Sequence, residues 1–119
     1  MLSPIKVEPD VTVIRLTGSL NLGNTLIGIE SSLKRMIDEG VRKLVIDLSG
    51  VNYIDSAGIG MLVSCTGHIE KNGGKMRIAG SHGPVAKVFD VVHLDRITPL
   101  DPDVDTACRN LTSGGAATV

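Results

Sequence analysis

The chain is poor in aromatic residues: among 119 residues there is no tryptophan, one tyrosine (Tyr53) and one phenylalanine (Phe89). Two such side chains cannot form the stacking platform on which single-stranded nucleic acids bind. The 12 basic and 13 acidic residues are intermixed and leave a net charge of -1, so no basic stripe faces a phosphate backbone. The composition therefore predicts no direct contact with nucleic acid.

Long hydrophobic runs and export signals are also missing. No uncharged stretch before the C-terminal tail is longer than residues 56–69, which contain polar residues and are too short to span a bilayer. The first residues, MLSPIKVE, lack the basic region and apolar run of a signal peptide. We therefore expect a cytoplasmic protein that does not contact a membrane.

Cysteine and histidine are too sparse and too scattered for a metal site. Cys65 and Cys108 share no metal-ligand spacing, and a disulfide is not expected in a protein without an export signal. Both cysteines fit small apolar core residues better than redox groups. His68, His82 and His93 have no metal-type spacing with one another or with the cysteines. The sequence predicts no metal and no other cofactor.

The motifs of common enzymes are incomplete in this chain. A nucleophile elbow around Ser56 would need a glycine two residues earlier, where Ile54 stands. Gly58 and Gly60 could begin a dinucleotide fingerprint, but Val63 occupies the third glycine position. No catalytic group of residues remains, so a protein that is not an enzyme is predicted.

Strand and helix patterns alternate along the chain with short connections. Residues 43–48 are rich in apolar side chains, with Leu44, Val45 and Ile46 in succession and Leu48 after Asp47, which is typical of a central parallel strand covered on both faces. The predicted strands are two within 5–17 around a turn at 9–10, then 43–48, 75–79 and 97–100. The predicted helices run from Asn24, as N-cap, to Gly40, from Ser56 to 71, from Pro84, and from 103.

This alternation predicts one α/β domain, with helices packed against a partly parallel sheet. A chain of this length supports one core, so residues 1–112 are assigned to a single domain. The last residues, SGGAATV at 113–119, are expected to be a disordered tail.

The stretch YIDSAGIGML, residues 53–62, begins the second predicted helix with a serine and places two glycines in its first turns. Each glycine costs about 1 kcal/mol relative to alanine, so a close approach should require them. Positions 56, 60, 64, 67 and 71 share one helical face and read Ser, Gly, Ser, Gly, Lys. Either Ser56 is an ordinary N-cap and this face packs inside the domain, or a partner protein docks over Ser56.

The chain resembles the STAS domain family, and within it the bacterial anti-sigma-factor antagonists, also called anti-anti-sigma factors. The resemblance rests on LTGSL at 16–20, KLVIDLSGVNYIDSAGIGML at 43–62, GGKMRIAG at 73–80 and GPVAKVFDVVHLDRI at 83–97, in that order. It implies a STAS-type single domain, with a four- to five-stranded mixed sheet flanked by about four helices.

The resemblance also implies a mechanism of transcription regulation by partner switching. The serine of the Asp-Ser-x-Gly turn, here Ser56, would be phosphorylated by an anti-sigma factor with serine kinase activity, making the chain a phosphoprotein. The unphosphorylated protein would bind that anti-sigma factor and free the sigma factor, and a protein phosphatase would reset the cycle. The expected partner-binding residues are Asn21, Asp55, Ser56, Ala57, Gly58, Gly60 and Ser64.

One loop departs from the family pattern. Many members carry Gly-Glu-Leu-Asp where this chain reads Gly18-Ser19-Leu20-Asn21, so two carboxylates are absent beside the expected partner contact. Asn21 can still form hydrogen bonds there. Because it replaces the usual acid, it bears on the identity of the partner and on any contact with a nucleotide. A second interpretation remains: a STAS subunit of a stressosome-like or transporter-associated complex.

Overall fold

Strands and helices alternate around one sheet in the computed structural model, which describes residues 3–8 and 10–117, with side chains for 10–112. The strands are β1 (Ser3–Glu8), β2 (Val11–Leu20), β3 (Lys43–Ile54), β4 (Lys75–Ala79) and β5 (Leu100–Asp101). The helices are α1 (Asn24–Asp38), α2 (Ser56–Lys71), α3 (Gly83–Val92) and α4 (Val104–Ala117), with a 3-10 turn at Leu94–Arg96. The predicted α/β domain with four helices is confirmed.

The sheet follows chain order, β1-β2-β3-β4-β5. β2 to β5 pair in parallel, whereas β1 pairs antiparallel with β2 at the outer edge. Parallel neighbours need crossover connections, which α1, α2 and α3 supply. The helix-connected core of the sheet, β2 to β5, is four-stranded and all parallel, and the antiparallel pairing that makes the five-stranded sheet mixed is confined to β1.

Helices cover both faces of the sheet. Side chains of β2 and β3 alternate between the faces, so Ile14 and Leu16 join the larger core under α1, α2 and α3. Val13 and Val45 point the other way and pack with Ala107, Cys108 and Leu111 of α4. This double coverage explains why Leu44, Val45 and Ile46 of β3 are apolar in succession.

Both cysteines are buried free thiols, as predicted. Cys65 lies in the larger core and Cys108 in the smaller one. Burial raises the pKa of Cys65 to about 11, because desolvation disfavours the thiolate. A thiol that stays protonated at neutral pH is a poor nucleophile.

Several boundaries differ from the sequence prediction, and β2 and β3 run on to Leu20 and Ile54, past the predicted ends at 17 and 48. Gly23, not Asn24, is the N-cap of α1. The last strand is Leu100–Asp101 and not 97–100, because the Thr98 amide donates to the Leu94 carbonyl and closes a turn there. Helix α4 continues through Ala117, past the predicted boundary at 112, and residues 118–119 of the expected tail lie outside the described residues.

Candidate functional site

The C-terminal ends of β2 and β3 meet at one edge of the sheet. Leu20, the last residue of β2, pairs with Ile54, the last residue of β3. The connection 21–23 therefore begins beside Asp55, which precedes α2. In open parallel sheets binding sites lie at this edge, because the connections there converge on one surface. The fold thus places the predicted residues Asn21, Asp55 and Ser56 at one end of the molecule.

Asp55 joins the two connections through its carboxylate. Its Oδ1 accepts a hydrogen bond from the Gly58 amide at 3.0 Å, and its Oδ2 accepts one from the Leu22 amide at 3.0 Å. The first bond makes Asp55 the N-cap of α2, and the second fixes the loop after β2. The Leu22 amide, followed by the Gly58 amide, holds the pKa of Asp55 below its usual range.

Replacing Asp55 by asparagine should separate these two roles. Asparagine offers one acceptor oxygen in place of two, so Asp55→Asn should keep a cap but lose the bond to Leu22. We expect a lower melting temperature at pH 7 and faster hydrogen exchange at the Leu22 amide. Because the folded-state pKa of Asp55 is lowered, its stabilisation is present above about pH 3.9 and is lost as pH falls through the folded-state pKa.

The control for this experiment is Asp103→Asn. Asp103 accepts from the Thr106 amide at 2.8 Å near the start of α4, and this bond likewise holds its pKa low. The substitution Asp103→Asn should change the melting temperature without altering hydrogen exchange at the Leu22 amide. A melting difference between wild type and Asp55→Asn that is the same at pH 7 and pH 2 would refute the assigned role of the carboxylate.

Ser56 is the first residue of α2 and is exposed. The cap belongs to Asp55, so the interpretation of Ser56 as the N-cap is wrong. Among the side chains of residues 10–112, none is hydrogen-bonded to the Ser56 hydroxyl. The hydroxyl is therefore accessible, and it stands at a helix N-terminus where backbone amides lack helical partners.

The two glycines of the first turns have different surroundings. A Cβ on Gly58 would clash with the Leu20 carbonyl oxygen and lie 2.7 Å from Ile54 Cγ1. Gly58 is buried and lets α2 approach β2, so its prediction as a docking residue is corrected: it packs inside the domain. Gly60 is exposed, and a Cβ there would meet no atom within 4 Å.

The predicted docking face of α2 is partly occupied by the domain itself. Ser64 is half-buried, and its hydroxyl donates to Glu30 Oε2 of α1 at 3.1 Å. Ala57 is also half-buried and packs against the larger core. Asn21, Ser56 and Gly60 are the predicted residues that remain exposed.

Two exposed aliphatic residues beside the site, Leu22 and Ile27, are not among the residues that the sequence predicted to be functional. Leu22 is 76% exposed and Ile27 is 58% exposed. The sequence signal that could have identified Leu22 as an exposed apolar residue was its position between Asn21 and Gly23 in a short connection. Ile27 sits between the buried Leu26 and Ile29, where periodicity alone did not distinguish it.

None of the helices in the described part of the chain has the length and apolar character needed to cross a membrane. Within the same residues, no three histidine, cysteine, aspartate or glutamate side chains are grouped closely enough to hold a metal ion.

A family model described as the STAS domain matches residues 3–107. The chain belongs to the STAS domain family. The matched span runs from β1 into α4 and includes both connections at the candidate site. The resemblance found in the sequence motifs is thereby confirmed.

Named STAS relatives share a common description. A Thermotoga maritima protein, provisionally named an anti-sigma factor antagonist, is 26% identical over 108 residues, covering 91% of this chain and 96% of that protein. The anti-sigma F factor antagonist of Paenibacillus polymyxa is 24% identical over 95 residues, covering 76% and 77%.

Solved STAS structures match over nearly the whole chain. The anti-sigma factor antagonist SpoIIAA in its unphosphorylated form superposes with a TM-score of 0.80 at 20% identity, covering 95% of this chain and 97% of that one. The phosphorylated form of the Bacillus protein gives a TM-score of 0.72 at 20% identity, covering 92% and 98%. At this level of identity the match establishes the fold.

Proposed function

We propose that this STAS protein is an anti-sigma-factor antagonist that acts by partner switching through Ser56. It binds an anti-sigma factor when unphosphorylated, so that the sigma factor is free, and releases it when Ser56 is phosphorylated. The observation that carries the proposal is the exposed Ser56 hydroxyl at the start of α2, with the cap supplied by its neighbour Asp55. The names of the relatives support the same function.

The position of Ser56 suits a phosphate that changes binding without unfolding the domain. A phosphoserine adds a charge of about -1.5 to -2, and the partial positive charge of a helix N-terminus accommodates it. The adjacent Asp55 carboxylate stays ionised at neutral pH, since two backbone amides lower its pKa. Phosphorylation would therefore make the exposed end of α2 strongly anionic and oppose a partner that fits the neutral surface.

The kinase in this proposal is the anti-sigma factor itself, using ATP, and a protein phosphatase restores the unmodified serine. Both proteins would need to reach the same hydroxyl. The exposed neighbours Asn21 and Gly60 leave the approach to Ser56 open. We propose that Asn21 and Asp55 contribute to this partner contact.

Variants of Ser56 test the switch. Ser56→Asp introduces one negative charge, less than a phosphate, so we expect it to fold normally and bind the anti-sigma factor about tenfold more weakly. Ser56→Ala should bind like the wild type and accept no phosphate from the anti-sigma factor and ATP. It should also keep its melting temperature, because the lost hydroxyl is not the cap. Affinity, phosphate incorporation and thermal melting are measured for each variant.

The matched control is Arg109→Gln, which also changes the net charge by one unit towards negative. Arg109 is exposed on α4, which covers the other face of the sheet. The affinity of Arg109→Gln for the anti-sigma factor should equal that of the wild type. Equal affinity for Ser56→Asp and wild type, together with no phosphate at Ser56, would refute the proposed function.

A further inference from the structure

Charged residues are nearly absent from the segments that build the Ser56 edge. Residues 16–29 and 48–69 contain one aspartate, Asp55, and otherwise no aspartate, glutamate, lysine or arginine. The opposite edge of the sheet differs, since Asp10, Glu39, Arg42 and Lys43 line an open cleft there. The chain as a whole carries 12 basic and 13 acidic residues, so the neutrality of the Ser56 edge is local.

Two exposed aliphatic side chains stand on this neutral edge. Leu22, 76% exposed, lies in the connection whose backbone the Asp55 carboxylate holds at 3.0 Å. Ile27, 58% exposed, follows in the first turn of α1, and its amide donates to the Gly23 carbonyl at 3.2 Å. Both backbones are thus fixed by hydrogen bonds, so a partner would order little chain on binding these residues.

Asp55 links Leu22 directly to the start of α2, where Ser56 lies. The carboxylate that bonds the Leu22 amide also caps the helix that begins with Ser56. Leu22 and Ser56 are therefore held on either side of one side chain and belong to one continuous surface. Fully buried centres of protein interfaces are depleted of charged residues and rich in apolar ones, which is the composition found here.

We propose that Leu22 and Ile27 are the apolar anchors by which this protein binds its anti-sigma factor, and that the partner offers them an uncharged, apolar groove. The proposal rests on the function proposed for Ser56. It also explains why one phosphate suffices: the charge arrives at the margin of a neutral contact, where an apolar partner surface cannot solvate it.

Glutamine substitutions test the anchors. The probe is a purified anti-sigma factor that binds the wild-type protein. Leu22→Gln and Ile27→Gln remove apolar contact, and glutamine is a good helix former at position 27 of α1, so each should weaken binding at least about tenfold without unfolding the domain. The control is Val91→Gln on α3, since Val91 is also exposed, at 77%, but lies on another element. Its affinity should match the wild type, and all three variants should keep the wild-type melting temperature.

Salt dependence gives a second measurement that needs no variant. An uncharged contact should change its dissociation constant by less than about threefold between about 0.05 and about 0.5 M salt. A much steeper dependence would mean that ion pairs dominate and would refute the apolar groove.

The outcomes separate this proposal from the one on which it rests. If no anti-sigma factor binds the wild type, the proposed function itself fails. If the wild type binds and Ser56→Asp weakens binding, while Leu22→Gln and Ile27→Gln bind like Val91→Gln, the switch stands and the anchors are refuted. The proposal is supported if Leu22→Gln and Ile27→Gln both lose binding while Val91→Gln binds like the wild type.

Discussion

Gly60→Leu is expected to weaken binding of the anti-sigma factor more than about a hundredfold while leaving the domain folded. A Cβ at Gly60 meets no atom within 4 Å, so the leucine would project from the exposed surface of α2. It would stand one helical turn from Ser56 and separate the partner from the helix. Bulk that prevents close packing within an interface removes much of its binding energy.

The same substitution should stabilise α2. Glycine inside a helix costs about 1 kcal/mol relative to a good helix former, so Gly60→Leu should raise the denaturation midpoint. Isothermal titration should therefore show weaker binding of the anti-sigma factor, while urea unfolding of the same sample should show higher stability.

Gly67→Leu is the matched control. Gly67 is also an exposed glycine of α2, and a Cβ there would meet no atom within 4 Å. It lies near the face of Gly60 but about 10 Å further along the helix axis. We expect the same gain in stability with nearly unchanged binding. Equal binding by both leucine variants and the wild type would show that no partner covers Gly60.

Gly58→Ala should have the opposite effect and destabilise the domain by about 3 kcal/mol. The added methyl group would meet the Leu20 carbonyl oxygen, which is backbone, and Ile54 Cγ1 at 2.7 Å. Relief would require α2 to move away from the ends of β2 and β3, and that movement would strain the hydrogen bonds of Asp55.

The comparison for Gly58→Ala is Gly60→Ala, made in the same helix. Gly60→Ala should gain about 1 kcal/mol, because the site is open and alanine favours the helix. Urea denaturation gives both free energies of unfolding. If Gly58→Ala proves as stable as the wild type, the close packing of α2 on Leu20 is not what requires this glycine.

The sequence by itself determined the order of the elements and the nature of the core. The successive apolar residues Leu44, Val45 and Ile46 predicted a strand covered on both faces, and the structure places residues of this strand in both cores. The start of α2 at Ser56 was also predicted, because a polar residue before a helical apolar pattern is a local signal. The motif set from 16 to 97 was enough to indicate the STAS family, which the family model confirms.

Tertiary structure decided which residue caps α2. Aspartate and serine are both good N-caps, so local preference could not choose between Asp55 and Ser56. The choice follows from the pairing of β2 with β3, which brings the Leu22 amide within reach of the Asp55 carboxylate. That long-range bond leaves the Ser56 hydroxyl outside the cap, the arrangement on which the proposed switch depends.

Tertiary structure also decided what each small residue of α2 does. Helical periodicity states which residues share a face, but it does not state which neighbour that face meets. Gly58 meets Leu20, Ser64 meets Glu30, and Gly60 meets nothing, although all three read alike as small residues in the sequence. The difference arises because α1 and the end of β2 pack against only part of α2. The positions of α1 and β2 depend in turn on contacts between residues far apart in the chain.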